Sequence, residues 1–92
     1  MTWAFLVFYR LCEMSKEDAE KARKSWEKFK KTWPSGIRLV GEYTHAWGTE
    51  YNGLFLIESD SSDEFLNWWP TFKDQVRWYV SETKTVIAQK RV

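Results

Sequence analysis

The segment WAFLVFYRL, residues 3–11, is apolar on both faces when drawn as a strand. Side chains alternate, so Trp3, Phe5, Val7 and Tyr9 share one face while Ala4, Leu6 and Phe8 share the other. A strand of this kind belongs in the middle of a sheet and is covered on both sides. The rest of the chain has to supply that cover.

Downstream, Ser15 reads as a helix N-cap, with Asp18 three residues on as an aspartate variant of the capping box. Met14, just before the cap, is placed to staple onto Ala19. Ala19, Ala22, Trp26, Phe29 and Trp33 then recur at helical spacing on one stripe, until Pro34, Ser35 and Gly36 turn the chain. Residues 37–47, IRLVGEYTHAW, read as a second strand. Ile37, Leu39, Gly41, Tyr43, His45 and Trp47 are expected on one face, with Arg38, Val40, Glu42, Thr44 and Ala46 on the other. A hairpin follows, turning at Gly48–Tyr51 or at Asn52–Gly53, into a third strand at Leu54–Ser59. Either turn puts Tyr43, His45 and Trp47 on the face of Leu54, Leu56 and Glu58. Ser61 and Glu64 make a full capping box for a second helix, with Asp63 in its first turn and Phe65, Trp69 and Phe72 as its stripe. Pro70 is expected to kink or split that helix near Trp68–Trp69 and free the Leu66 carbonyl. Residues 76–88 read as a fourth strand, and the tail QKRV as loose.

The order is strand, helix, strand, strand, helix, strand. It predicts a single α+β domain over residues 1–92, a ferredoxin-like βαββαβ sandwich. Two helices cover one face of such a sheet. The other face here is also apolar, and Phe, Trp and Tyr left bare would invite aggregation. Packing two sheets face to face covers them and closes a dimeric α/β barrel, so the expected partner is a second copy of the chain. On these residues the chain resembles the dimeric α/β-barrel superfamily of ferredoxin-like proteins. The likeness is to its short uncharacterised single-domain members, carried by LVFYR, GEYTHAWG, GLFLIES and SSDEFLNWW and spanning about residues 3–88. That superfamily includes cofactor-free monooxygenases, haem-degrading enzymes, muconolactone isomerases and stress-response proteins, and the resemblance alone does not choose among them.

Composition narrows the field. A chain of 92 residues buries only ~60–65% of its unfolded surface. Seven Trp, six Phe and four Tyr offset that, and their surplus is expected to line a cavity, a subunit interface or both. Net charge is +1, which gives no global field for nucleic acid or anionic lipid. Locally, residues 16–31 hold seven basic against four acidic side chains, and residues 58–64 hold four acids and no base. Two solvated helix faces account for this; complementary patches between copies are the sharper reading. One cysteine, Cys12, permits no intrachain disulfide and suits a reducing compartment. The run Trp3–Tyr9 is too short for a membrane span and lacks a signal-peptide pattern, so a cytoplasmic protein is expected.

His45 is the only histidine, and no spacing of His, Cys and carboxylates suggests a metal site. The four glycines form no phosphate loop. A Cys12–His45 nucleophilic pair is conceivable, but a small half-buried thiol explains Cys12 as well. The candidate catalytic group is His45 as base with Tyr43 as donor and Glu58 as its carboxylate, and Trp47 as a wall for a flat substrate. The resemblance implies a ligand between sheet and helices, which Trp26, Phe29 and Trp69 would help bind. A plain reading makes the His and Glu surface groups and the aromatics core. Haem would need His45, or in its place Tyr43 or Cys12, as axial ligand, and no cofactor is expected. RNA-recognition motifs share the element order, but YNGLFLIE lacks their leading basic residue and further aromatics. The expected function is binding of a small apolar or aromatic ligand. A cofactor-free monooxygenase or isomerase using His45 with Tyr43 or Glu58 is the alternative, and single-stranded RNA binding ranks below both.

Overall fold

In the computed structural model, which describes residues 1–91, six elements follow in order. They are β1 (Trp3–Leu11), α1 (Lys16–Lys30), β2 (Arg38–Thr44), β3 (Gly53–Ser59), α2 (Ser62–Val76) and β4 (Val80–Gln89). The strands form one sheet in the order β2-β3-β1-β4, with every neighbouring pair antiparallel. This is the ferredoxin-like βαββαβ fold. As its two-faced apolarity requires, β1 lies in the interior of the sheet.

The registers sort the side chains into rows. Toward the helices lie Leu39–Ile57–Phe5–Ile87, then Glu42–Phe55–Val7–Thr85, then Thr44–Gly53–Tyr9–Thr83. On the open face lie Arg38–Glu58–Ala4–Ala88, Gly41–Leu56–Leu6–Val86 and Tyr43–Leu54–Phe8–Lys84. Leu39 pairs with Ile57 and Gly41 with Leu56, so Val40 is an extra residue, a β-bulge. The bulge splits the face expected to run from Ile37 to Trp47. Leu39 faces the helices, Tyr43 faces away, and Glu42 and Thr44 turn inward. The strand also ends at Thr44 rather than Trp47. Asn52 draws the chain off: its N–H donates to the Tyr9 carbonyl (2.8 Å), and its Oδ1 accepts from the Leu11 N–H (2.7 Å). Asn52 is therefore tied to β1 instead of forming a two-residue turn with Gly53. The bends lie earlier, with Gly48 at φ 84°.

Both helices begin where their caps predict. Ser15 Oγ accepts from the Asp18 N–H and Ser61 Oγ from the Glu64 N–H, each at 3.1 Å. The Ser61 N–H donates to Ser59 Oγ (3.2 Å), while the Glu64 carboxylate lies against Gly36. The expected reciprocal Glu64 bond is thus replaced by the fully buried Ser59. Helix α2 runs through Pro70 to Val76 without splitting. Pro70 and Leu66 are both exposed, so water can serve the carbonyl that the proline leaves without a donor. Trp68, outside the expected stripe, is buried, and Trp69 is only half-buried. Val76 belongs to α2, so β4 starts at Val80, not at residue 76. The tail is held further than expected: Gln89 is in β4, and Lys90 donates its N–H to the Thr2 carbonyl (2.8 Å) and ion-pairs with Glu58 (3.3 Å). Val92 lies outside the described residues.

The core sits between the helices and the inner sheet face. Phe5 stacks on Phe65 at 3.7 Å between ring centroids. Trp68 packs edge-on to Trp33 at 4.7 Å, and Trp69 stacks on Phe72 at 4.6 Å. Much of the aromatic surplus is therefore core. Among the described residues no helix is long and apolar enough to cross a membrane.

Candidate functional site

The helix-facing side of the sheet loses bulk at one end. Thr44, Gly53 and Thr83 flank Tyr9 there, and α1 presents the small Ala19 and Ala22 to this end beside Arg23 and Trp26. The missing volume becomes a cavity of about 570 Å³ between sheet and helices. Its walls are aromatic: Trp26 from α1, Phe55 from β3 and Phe72 from α2, whose ring centroids are 5.4–6.1 Å apart. Tyr79, Cys12 and Met14 also line it.

Few polar groups face this space. The Val40 bulge turns Glu42 inward, where Oε1 accepts from Trp26 Nε1 (2.7 Å) and Oε2 from Lys30 Nζ (2.9 Å). Lys30 also pairs with Glu27 (2.7 Å). Tyr9 Oη lies over Gly53, where a Cβ would stand 2.6 Å from it. Only the absence of a side chain at Gly53 admits the phenol. Tyr9 Oη has no hydrogen-bond partner among the described residues. Burial, and secondarily the Glu42 charge, push its pKa above the ordinary phenol value, so it remains a protonated donor. Tyr79 Oη is sealed from water and also without a partner, and burial pushes its pKa up to about 12. Cys12 is half-buried at the cavity edge, its N–H donating to the Tyr79 carbonyl (2.9 Å).

The structure separates the residues singled out in the sequence. Trp26 lines the cavity. Phe29 is buried core beside Trp33 and Phe72, and Trp69 packs on Phe65 and Phe72; neither lines the cavity. Tyr43 and Glu58 share the open face of the sheet, the side away from the helices, with the Gly41–Leu56 row between them. Glu58 is engaged there by Lys90. His45 falls beyond β2 with φ 55°, a left-handed conformation that turns the chain out of the sheet. Trp47 is 93% exposed on the same loop. His45, Tyr43, Glu58 and Trp47 do not line the cavity that holds Trp26. Among the described residues no cluster of three or more His, Cys, Asp or Glu is placed to hold a metal ion. Sequence reasoning passed over Tyr9, Glu42, Phe55, Phe72 and Tyr79 as site residues. Tyr9 carried a signal, being a polar tip on the inward face of β1. Glu42 carried none, because strict alternation turns it the other way relative to Leu39.

The open face is the molecule's other surface of note. Its centre is apolar: Leu6 beside Leu56 and Val86, and Phe8 beside Leu54. Charges close both ends. Arg10 pairs with Glu50 (3.3 Å) and Glu82 (3.6 Å) at one end, and Arg38 with Asp60 (3.4 Å) at the other.

No family model and no curated protein matches the sequence. Solved structures do match. A dimeric protein of unknown function with a ferredoxin-like fold from Bacteroides fragilis superposes with a TM-score of 0.71 at 14% identity, covering 97% of this chain and 96% of that one. A Dabb family protein with a ferredoxin-like fold from Mesorhizobium loti gives a TM-score of 0.71 at 11% identity, covering 99% and 98%. A NIPSNAP family protein of unknown function from Agrobacterium tumefaciens gives 0.64 at 15% identity, covering 97% and 87%. At these identities the likeness is one of fold, and the shared fold is the ferredoxin-like one.

Proposed function

We propose that the chain binds a small, largely apolar or aromatic molecule in the cavity between its sheet and helices, and that it does so as a homodimer joined through the open sheet face. The cavity carries the reading. Its volume of about 570 Å³ falls in the range of small-molecule sites, and aromatic side chains with a few polar tips form its walls. Binding is favoured over catalysis because His45, Tyr43 and Glu58 do not line it. The dimer follows from the apolar centre of the open face, which needs cover, and fits the dimeric description of the Bacteroides fragilis neighbour. The single half-buried Cys12 suits a reducing compartment.

Two measurements test this. Titration with 2-ethylnaphthalene should shift the indole Nε1–H resonance of Trp26, which lines the cavity, and leave that of exposed Trp47 in place. Ala19→Phe, at an exposed lining position, should plug the space and abolish the shift. No shift at the solubility limit of the probe would end the binding proposal. Native mass spectrometry of the purified protein should give a dimer, and Leu6→Lys should give a folded monomer, since it sets a charge between Leu56 and Val86. A wild-type monomer at tens of micromolar would end the dimer proposal.

A further inference from the structure

The walls of the cavity specify the kind of molecule it takes, on the footing of the ligand-binding reading above. Every charge around the space except the exposed Glu13 is already paired. Glu42 has both oxygens occupied, by Trp26 Nε1 and Lys30 Nζ. Lys30 is divided between Glu42 and Glu27. Arg23 is held by Glu20 at 2.6 Å. Lys73 does not line the cavity, and its ammonium ends on Thr83 Oγ1, 3.3 Å away. Glu13, the remaining charge, is exposed at the rim. A carboxylate or ammonium brought among Trp26, Phe55 and Phe72 would therefore be buried without a counter-charge, which is costly.

Of the two phenols on the wall without a hydrogen-bond partner, Tyr79 Oη is sealed and Tyr9 Oη is not. Tyr9 Oη has no partner among the described residues and sits in the gap that Gly53 leaves beneath it. It is half-buried, and the neighbouring carboxylate opposes its ionisation, so it offers a proton rather than a charge. An unpaired donor on an apolar wall discriminates in favour of a ligand that can accept from it.

We infer that the ligand is an uncharged, flat, largely apolar molecule bearing a carbonyl or similar acceptor oxygen, which takes a hydrogen bond from the Tyr9 hydroxyl. Tyr9 is thus the specificity-determining residue of the cavity, and the aromatic walls supply the bulk of the contact.

The test compares four probes of one shape: 2-acetylnaphthalene, its hydrocarbon counterpart 2-ethylnaphthalene, 2-naphthoate and 2-naphthylmethylammonium. Dissociation constants come from the Trp26 indole resonance. The ketone should bind about fivefold more tightly than the hydrocarbon, as one net hydrogen bond gives. Both charged probes should bind at least tenfold more weakly than the ketone. Tyr9→Phe should bring the ketone to within twofold of the hydrocarbon and leave the hydrocarbon's affinity unchanged, which also shows that the variant is folded. A charged probe that matches the ketone, or a ketone preference that survives in Tyr9→Phe, overturns the inference. If the hydrocarbon binds and the ketone gains nothing over it, this inference falls alone. If no probe binds, the binding proposal falls and carries this one with it.

Discussion

Tyr79→Phe should stabilise the protein, and by more at high pH than at neutral pH. Tyr79 is 4% exposed, just ahead of β4. Its position is fixed by its backbone, whose N–H donates to the Val76 carbonyl (3.0 Å) and whose carbonyl accepts from the Cys12 N–H (2.9 Å). The ring packs edge-on to Trp78 at 4.9 Å. The hydroxyl gains nothing from this burial, because Oη is sealed and has no partner among the described residues. An unsatisfied buried hydroxyl costs about 1–3 kcal/mol. Deleting one oxygen leaves a void of roughly 10–20 Å³, which at ~24 cal/mol per Å³ returns a few tenths of a kcal/mol. The net gain at pH 7 is about 1 kcal/mol.

Ionisation adds to this. Burial raises the Tyr79 pKa to about 12 from an ordinary value of 10.0. The unfolded chain then loses this proton first as pH rises, so wild-type stability is fully present below pH 10 and declines toward pH 12. The full loss is about 2.7 kcal/mol for two units, and roughly half of it is reached by pH 11. The Tyr79→Phe variant has no proton to lose there, so the gap between variant and wild type should grow from about 1 to about 2.4 kcal/mol. Urea unfolding followed by far-ultraviolet circular dichroism at pH 7 and pH 11, at one protein concentration, reads both numbers. With a slope of about 1–1.5 kcal/mol per molar urea, the pH 7 midpoint should rise by roughly 0.7–1 M. A lower midpoint with an unchanged slope would mean that the hydroxyl is bonded in solution, and the reasoning would fail. A gap that stays constant to pH 11 would refute the burial of its ionisation.

Gly53→Ala should destabilise by on the order of 2 kcal/mol in a thermal melt, because its Cβ meets the Tyr9 hydroxyl and the Tyr43 carbonyl oxygen together. Trp68→Ala should cost about 3–5 kcal/mol, while Trp47→Ala should change stability by no more than about 0.5 kcal/mol, both read by urea unfolding. That contrast follows from burial, since Trp68 packs against Trp33, Phe65 and Phe72 while Trp47 stands in solvent. Ser61→Ala should cost about 1 kcal/mol by leaving the Glu64 N–H uncapped, and chemical denaturation measures it.

The fold was legible where its determinants are local. Alternation in residues 3–9 needs no knowledge of neighbours, and it assigned both faces of β1 as they are found. The helix starts were equally readable, because an N-cap serine bonds three residues ahead within one turn. The misses are all contextual. Pro70 lacks a donor wherever it stands, but whether that breaks a helix depends on whether the orphaned carbonyl meets water, and here it lies on the exposed side. Residues 76–79 have strand-like composition, yet Val76 continues the buried stripe of Phe65 and Phe72 at helical spacing, and packing against the core prevails over propensity. Trp68 and Trp69 are adjacent in sequence, and their burial depends on where the α2 stripe meets Phe29 and Trp33.

The site was less legible than the fold, and a single residue explains most of the difference. Strand periodicity is two, so one extra residue exchanges every later side chain between faces. The bulge at Val40 does this to β2. Without it, the Leu39 face would carry Tyr43 inward, over the row of Tyr9 and Gly53, and Glu42 would face the open side opposite Leu54. With it, Tyr43 leaves for the open face, and Glu42 swings inward to meet Trp26 and Lys30. The same exchange sets Thr44 rather than a larger side chain beside Gly53, which helps open the cavity. The bulge and Asn52 act on the same short strand from two ends. Asn52 bonds to Tyr9 and Leu11, its carbonyl accepts from the Ala46 N–H, and the strand ends at Thr44, ahead of His45 and Trp47. The candidate site therefore shifted from the polar cluster on β2 to Tyr9 on β1, whose inward direction alternation had already fixed. Deleting Val40 would take out the extra residue and leave Leu39 opposite Ile57 and Gly41 opposite Leu56, so Glu42 should stay inward and the low-field position of the Trp26 indole Nε1–H resonance should persist; its loss would refute the bulge account.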